Sequence, residues 1–325
     1  MKVKGIALIS GGLDSMLAVK IMQEQGVEVE GVAFVTPFFS ARRAVEASRA
    51  IGLPLTVVDI TEEHLAMLRA PRYGYGRNMN PCIDCHILML RKAGEIMGER
   101  AANFILTGEV LGQRPMSQGK QSLHVVAKRS GYQPYIIRPL SARFLLETTP
   151  EKEGMVDRSR LLDIQGRGRK RQMELAERFR ITVYSNPAGG CLLTDPIFSK
   201  RLKDLFAHDS NMAVRDLELL KVGRHMRLDE ETKIIVGRKQ RENEIIRELS
   251  EDRDILIRMK DLPGPTILVP YGCGDESLRR AAGICALYSH VPPDSKAVAE
   301  WSTGGTAAYV EVSPAEDKDV QGMML

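Results

Sequence analysis

The chain has 325 residues, about twice the roughly 150 typical of one domain, so two globular domains are expected. Hydrophobic residues make up 43% and charged residues 27%, which excludes the disordered, collagenous and coiled-coil classes. The 46 Lys and Arg against 42 Asp and Glu leave +4, too little over a whole surface to establish a nucleic-acid partner.

In chain order, residues 5–9 are apolar, 10–14 form a glycine turn, and 15–25 carry Met16, Leu17, Val19, Ile21 and Met22 at helical spacing. Residues 27–35 read as a second strand, 42–50 as a helix, 55–60 as a strand, 85–97 as a helix and 103–106 as a strand. Alternation of this kind predicts an α/β domain with a parallel sheet and crossover helices. The pattern changes near residue 190: helices at 200–208 and 214–220 are followed by short strands at 233–236, 255–259, 266–269 and 307–312, and by an apolar helix at 278–287. That half reads as a smaller α+β domain, with the link between domains within residues 181–196.

The N-terminal apolar run, residues 6–9, is too short for a signal-peptide core, and no run reaches the eighteen or so apolar residues of a membrane span. The expectation is a cytoplasmic protein with no membrane partner. The sequence sets no oligomeric state.

The turn Ser10-Gly11-Gly12-Leu13-Asp14-Ser15 lies between a buried strand and a helix start, where free backbone N–H groups and the helix dipole favour an anion. Gly11 and Gly12 allow close approach of phosphate, and Ser10 and Ser15 add hydroxyl donors. Asp14 would repel phosphate unless it holds a cation or the loop itself, which points to a magnesium-bridged nucleotide. Residues 112–120 have the wrong spacing for a Walker A loop, and no dinucleotide glycine pattern follows the first strand.

Asn80-Pro81-Cys82-Ile83-Asp84-Cys85-His86 puts two thiols three residues apart at a helix start, where the dipole is expected to favour thiolate. Cys191 follows a Gly-Gly turn more than a hundred residues later. Three cysteines suit one site. A closed zinc site would need a fourth ligand, for which His86 is the only neighbour, whereas a four-iron cluster can use three cysteines and leave one iron open. Cys273 and Cys285 have no companion ligands and read as structural.

The string Ser10 to Ser15 resembles the signature of the PP-loop ATP pyrophosphatases, which adenylate a carbonyl oxygen and release pyrophosphate. Thr107-Gly108-Glu109-Val110-Leu111-Gly112-Gln113, Met116-Ser117-Gln118 and Arg138-Pro139-Leu140 resemble the catalytic domain of the ThiI family of tRNA 4-thiouridine synthetases, over residues 1 to about 180. The resemblance implies a Rossmann-like PP-loop (HUP) parallel sheet in a catalytic domain spanning residues 1–185, with ATP and Mg2+ bound by Ser10, Gly11, Gly12, Asp14, Ser15, Phe34, Thr107 and Gly108. The stretch Asn80-Pro81 to Cys85, with Gly190-Cys191, is similar to the cysteine positions of the MnmA 2-thiouridylases, which makes Asp14, Cys85 and Cys191 the implied catalytic residues. Cys82 stands where many such enzymes carry Asp. The resulting set Cys82, Cys85 and Cys191 is similar to the iron–sulfur thiolases of the TtuA and TtcA type and implies a 4Fe-4S cluster.

The sequence shows neither a long extension before the loop, where ThiI carries its THUMP domain, nor a terminal rhodanese-like domain, so RNA binding is expected from elsewhere. Residues 190–325 resemble the NFACT-R RNA-binding module at Gly223 to Leu228, Lys233 to Arg238, Glu242-Asn243, Leu262 to Pro265 and Ala281 to Gly283. Residues 158–180 hold eight basic and three acidic side chains, and residues 221–247 hold eight Lys and Arg against five acids. The candidate RNA contacts are Arg167, Arg169, Lys170, Arg171, Arg224, Arg227, Arg238 and Lys239.

The expectation is an ATP-dependent sulfurtransferase acting on tRNA, its sulfur arriving as sulfide or as a cysteine-desulfurase persulfide. Two rival readings stand beside it. One is a LarE-like sulfur transferase acting on a small molecule, and the other is a non-catalytic RNA quality-control binder.

Overall fold

The computed structural model describes residues 2–114, 116–184, 190–209 and 212–325. The turn residues Pro187 to Gly189, within the expected link, lie outside them. The chain forms two compact units, Met1–Thr194 and Asp195–Leu325.

The first unit contains β1 (Lys4–Leu8), α1 (Leu13–Gln23), β2 (Glu28–Val35), α2 (Arg42–Ile51), β3 (Leu55–Asp59), α3 (Thr61–Arg69), α4 (Cys82–Glu99), β4 (Phe104–Thr107), α5 (Lys120–Ser130), β5 (Ile136–Ile137), α6 (Thr149–Lys152) and α7 (Lys170–Arg178). Its strands are parallel in the order β3-β2-β1-β4-β5. Such a sheet is covered on both faces, and the apolar runs show it: every residue of β4 is buried. Phe104 and Leu106 point to the cluster that includes Met16, Leu17 and Val19 of α1, while Ile105 points to the opposite cluster with Ile87 and Leu90 of α4. The strand order reverses between β1 and β4, so the crevice at their carboxyl ends is where a ligand is accommodated in a sheet of this kind.

The second unit contains α8 (Pro196–His208), α9 (Val214–Leu219), β6 (Arg224–Arg227), β7 (Lys233–Val236), α10 (Gln240–Glu248), β8 (Ile255–Met259), β9 (Ile267–Val269), α11 (Asp275–Tyr288), β10 (Ala297–Thr303), β11 (Thr306–Val312) and α12 (Asp317–Gly322). Its sheet is antiparallel, in the order β11-β10-β8-β9-β7-β6. Ala281, Ala282, Ile284 and Cys285 of α11 pack on Ile257, Met259 and Ala299 of the sheet. The alternation in the sequence anticipates β7, β8, β9 and β11, but not β6 and β10. β6 reads Arg-His-Met-Arg, and β10 keeps only Ala299 fully buried, so neither shows as an apolar run.

Among the described residues no helix is long and apolar enough to cross a membrane.

Candidate nucleotide and cysteine site

The glycine loop joins β1 to α1. Gly11 has φ +80°, and a Cβ there would meet the Arg43 backbone at 2.5 Å, so only glycine lets the loop turn against α2. Gly12 caps α1 with extended backbone. Ser15 Oγ donates to the Gly12 carbonyl at 2.8 Å, so this hydroxyl is engaged within the first turn and is not a free donor to phosphate as expected; Ser10 is exposed. Gly108 follows β4, and a Cβ on it would lie 2.4 Å from the Ser15 amide nitrogen, so the two loops at the strand-order reversal touch backbone to backbone. Thr107 is buried with its hydroxyl on Glu109. Phe34 sits among Ile6, Ile60 and Ile105 in the core beneath α4, so its side chain serves packing rather than the loop.

Asp14 is held from one side only. Gln113 Nε2 donates to its Oδ2 at 3.0 Å, and its Oδ1 is buried without a partner. Burial raises the Asp14 pKa, opposed by the Gln113 hydrogen bond, the Arg169 charge, the nearby Gln172 amide and Arg114. Arg169 and Gln172 arrive through a second connection: Gly166 N donates to the Leu111 carbonyl at 2.7 Å, and Leu111 bridges to Gln165, laying the start of α7 beside the Asp14 loop. Gln172 is fully buried with neither end of its amide hydrogen bonded. In the sequence Arg169 and Gln172 are hidden inside a basic run, and only the fold brings them to the glycine loop.

Next to this loop lies a buried ion network. Arg138 Nε donates to Glu109 Oε2 at 2.8 Å, and His86 Nδ1 lies 2.9 Å from Glu109 Oε1. Burial pushes the Glu109 carboxyl up, but Arg138 and His86 together outweigh it and hold it at about 2. His86, the one candidate fourth ligand beside the cysteines, is thus engaged with Glu109.

Cys82 opens α4 and Cys85 lies one turn in. Cys191 comes back to them because Leu192 N donates to the Phe38 carbonyl at 3.0 Å and Asn78 Nδ2 donates to the Thr194 carbonyl at 2.7 Å. The three thiols are close enough to feel one another. Burial pushes the Cys85 thiol well up, and Cys191, Cys82 and Asp84 push it further; burial and Cys82 push Cys191 up to about 11. The helix start therefore does not make Cys85 a thiolate, because desolvation and neighbouring thiols outweigh the dipole. The chemistry of the donor set suits a cation or cluster that would replace the mutual repulsion of three thiolates. Among the described residues no three or more His, Cys, Asp or Glu side chains are placed to hold a metal ion, so the three thiols would have to close further around one. Cys285 is buried, donating to the Pro265 carbonyl, and Cys273 is half-buried in the second unit.

The candidate RNA residues divide. Arg167, Lys170 and Lys239 are exposed, while Arg171 is bound to Asp163 at 2.6 Å and Arg238 to Glu242 at 2.5 Å. Arg227 grips both oxygens of Asp204 at 2.8 Å, with Lys233 on the same carboxylate, and Arg224 lies 5.0 Å over the Tyr288 ring. Arg227 is thus engaged inside the second unit.

The fold and the loop at the strand-order reversal define the class: a nucleotide-type parallel α/β unit beside a separate antiparallel α+β unit. Residues 1–143 match the family model described as thiamine biosynthesis protein (ThiI), and residues 223–324 match that of the NFACT protein RNA binding domain. The first unit carries a ThiI domain and the second an NFACT-type RNA-binding domain.

Three solved structures are similar at a distance. The C-terminal part of the fibronectin/fibrinogen-binding protein of Streptococcus suis is 13% identical, over 75% of this chain and 94% of that one, with a TM-score of 0.29. A predicted subunit of a tRNA methyltransferase from Methanocaldococcus jannaschii is 15% identical, over 54% and 76%, with a TM-score of 0.36. A 4-thiouridine synthetase in complex with RNA and ATP is 24% identical over 67% of this chain and 52% of that one, with a TM-score of 0.38, so the chain spans about half of it. Likenesses this distant decide nothing about activity.

Proposed function

We propose that the protein is an ATP-dependent tRNA sulfurtransferase that converts a uridine to a thiouridine. The observation that carries the reading is one unit holding both parts of the chemistry: a glycine loop at the strand-order reversal with an unpaired Asp14 oxygen, and three convergent thiols. The ThiI and NFACT matches support it, because one chain matches both the ThiI model and the model of an RNA-binding domain.

In this reading the backbone N–H groups of residues 10–13 and the start of α1 receive the phosphates of ATP, the Gly12 amide giving up its long 3.4 Å bond to Ser10 Oγ. Asp14 Oδ1, buried and without a partner, and the exposed Ser10 hydroxyl are the oxygens suited to hold Mg2+, which when bound neutralises the departing pyrophosphate. Arg169 adds positive charge at the same place. The uracil carbonyl oxygen attacks the α-phosphorus of ATP and pyrophosphate leaves; sulfur then bonds to the ring carbon and AMP departs with the oxygen. Cys85 and Cys191 are the residues to deliver that sulfur, with Cys82 completing a ligand set for a 4Fe-4S cluster. Cys82, Cys85 and Cys191 would be the residues to hold it once they close around it, and bound there it would supply sulfide as a nucleophile at neutral pH. The RNA-binding unit would hold the tRNA, which fits a cytoplasmic enzyme.

The test is the nucleoside composition of tRNA, measured by mass spectrometry with and without the gene. One thiouridine should disappear on deletion and return with the wild-type chain but not with Asp14→Ala. Unchanged thiouridines together with ATP turnover on a small acceptor would replace this reading by the small-molecule one.

A further inference from the structure

Between α3 and α4 the chain reads Arg69-Ala70-Pro71-Arg72-Tyr73-Gly74-Tyr75-Gly76-Arg77-Asn78-Met79-Asn80, with three arginines, two tyrosines and no acid. Arg69, Arg72 and Arg77 are exposed, and none has an ion-pair partner among the described residues. Tyr73 and Tyr75 are 36% and 39% exposed. A segment this polar and glycine-rich is nevertheless pinned throughout. The Asp84 carboxylate, from between the two cysteines of α4, accepts the amides of Arg72 at 3.2 Å and Tyr73 at 2.9 Å. Tyr75 Oη donates to the Leu68 carbonyl at 2.6 Å, and Arg129 Nε of α5 donates to Tyr73 Oη at 3.1 Å. Gly76 N donates to the Asn80 carbonyl at 3.0 Å, and a Cβ on Gly76 would stand 2.5 Å from the Asn80 amide.

The same bonds tie the segment to the thiols. Asn80 Nδ2 donates to Cys82 Sγ at 3.3 Å, and Asn78 fixes Thr194, three residues beyond Cys191. Two tyrosine rings anchored by their hydroxyls and interleaved with unpaired guanidinium groups are what single-stranded nucleic acid needs: flat faces for bases and cations for the phosphates between them. Because folding has already ordered the loop, binding does not have to order it again.

We propose that residues 69–77 form a preordered platform that receives an unpaired stretch of the RNA and delivers its base to the cysteines. The proposal rests on the sulfurtransferase reading and adds a second RNA-contact surface, on the catalytic unit itself. The platform lies outside the basic runs at residues 158–180 and 221–247.

The experiment measures binding of an unmodified tRNA transcript to the full chain by fluorescence anisotropy over a range of salt, with melting curves as the folding control. Arg72→Ala/Arg77→Ala should weaken binding at least about tenfold and reduce the slope of log affinity against log salt by about 1.4, since two single-strand phosphate contacts are lost. Tyr73→Leu should weaken binding about fivefold or more with the slope unchanged, while Tyr73→Phe, which keeps the ring but loses the Arg129 anchor, should weaken it less than Tyr73→Leu does. Wild-type affinity and slope in the folded double variant would overturn the platform and leave the enzyme reading intact. A wild-type chain that binds no tRNA would overturn both.

Discussion

Gln113 and Asp14, ninety-nine residues apart in the chain, meet at 3.0 Å: the Gln113 amide occupies one carboxylate oxygen and leaves the other, Oδ1, buried and unpaired. An uncompensated buried acceptor costs roughly 1–3 kcal/mol, which a cation at this oxygen would offset.

Asp14→Ala should abolish ATP-dependent pyrophosphate release without lowering the melting temperature, because it removes an unpaired buried oxygen, and should leave tRNA affinity nearly unchanged. Gln113→Leu should fall between the two, raising KM for ATP more than it lowers kcat, since it only orients the carboxylate. Pyrophosphate release at the wild-type rate by folded Asp14→Ala protein would remove Asp14 from the chemistry.

Binding to tRNA should weaken steeply with salt, but the basic run at residues 167–171 should not act as one block. Arg169 lies by Asp14 and Arg171 is tied to Asp163, so Arg169→Ala should chiefly impair pyrophosphate release, and Arg171→Ala should do little to either activity. Reversing Lys170 to Glu should weaken tRNA binding for many sequences alike. Equal loss of RNA affinity from all three would restore the reading of the run as a simple polyanion patch.

What the sequence made legible follows from how local each signal is. The strand–loop–helix opening and the two cysteine motifs are contiguous strings whose chemistry shows at short range, and the parallel sheet shows in runs such as Phe104 to Thr107 that are buried on both faces. Helix α7 escaped because its sequence, Lys-Arg-Gln-Met-Glu-Leu-Ala-Glu-Arg, has only Met173, Leu175 and Ala176 as apolar residues and one of its two buried residues is Gln172, so it reads as a charged run. Pairing escaped too: Arg227 looks like a free cation until Asp204, on another element, is seen to occupy it. The thiolate expected at the start of α4 failed for the same reason, since Cys191 and the desolvation around Cys85 are long-range facts.

Arg138 and Glu109 are both under a tenth exposed and bind at 2.8 Å. Arg138→Leu would leave Glu109 charged and buried with only His86 and Thr107 as partners, and should destabilise the first unit by about 3 kcal/mol or more in urea unfolding. A loss below about 1 kcal/mol would mean that the network is solvated and does not support the loops above it.

His64 of α3 is fully buried against Phe38 and Phe39, with neither ring nitrogen bonded, and burial lowers its pKa to about 4. The folded protein therefore refuses a proton that the unfolded chain accepts near pH 6.5. Stability should fall as pH drops from about 6.5 to about 4 and then level off, with roughly 3 kcal/mol at stake. His64→Leu should remove that part of the pH dependence, and equal slopes for wild type and variant in this window would show the ring to be hydrated.

The cysteines carry the sharpest forecast. Cys85 is held protonated by burial, Cys191, Cys82 and Asp84, and Cys191 by burial and Cys82, so a bound metal must displace protons, and loading should become easier as pH rises. If the three thiols take up a cluster, protein purified without oxygen should be brown and carry about four irons per chain. Cys82→Ala, Cys85→Ala and Cys191→Ala should each lose both iron and thiolation, whereas Cys273→Ala and Cys285→Ala, in the second unit, should keep both. A persulfide route requires different behaviour: terminal sulfur on Cys85 or Cys191 bonds to the activated carbon, and the other thiol then releases it by forming a disulfide, with no task for Cys82. Colourless Cys82→Ala protein that still thiolates tRNA from a persulfide donor would therefore refute the cluster, and would leave Cys85 and Cys191 as the pair that moves sulfur.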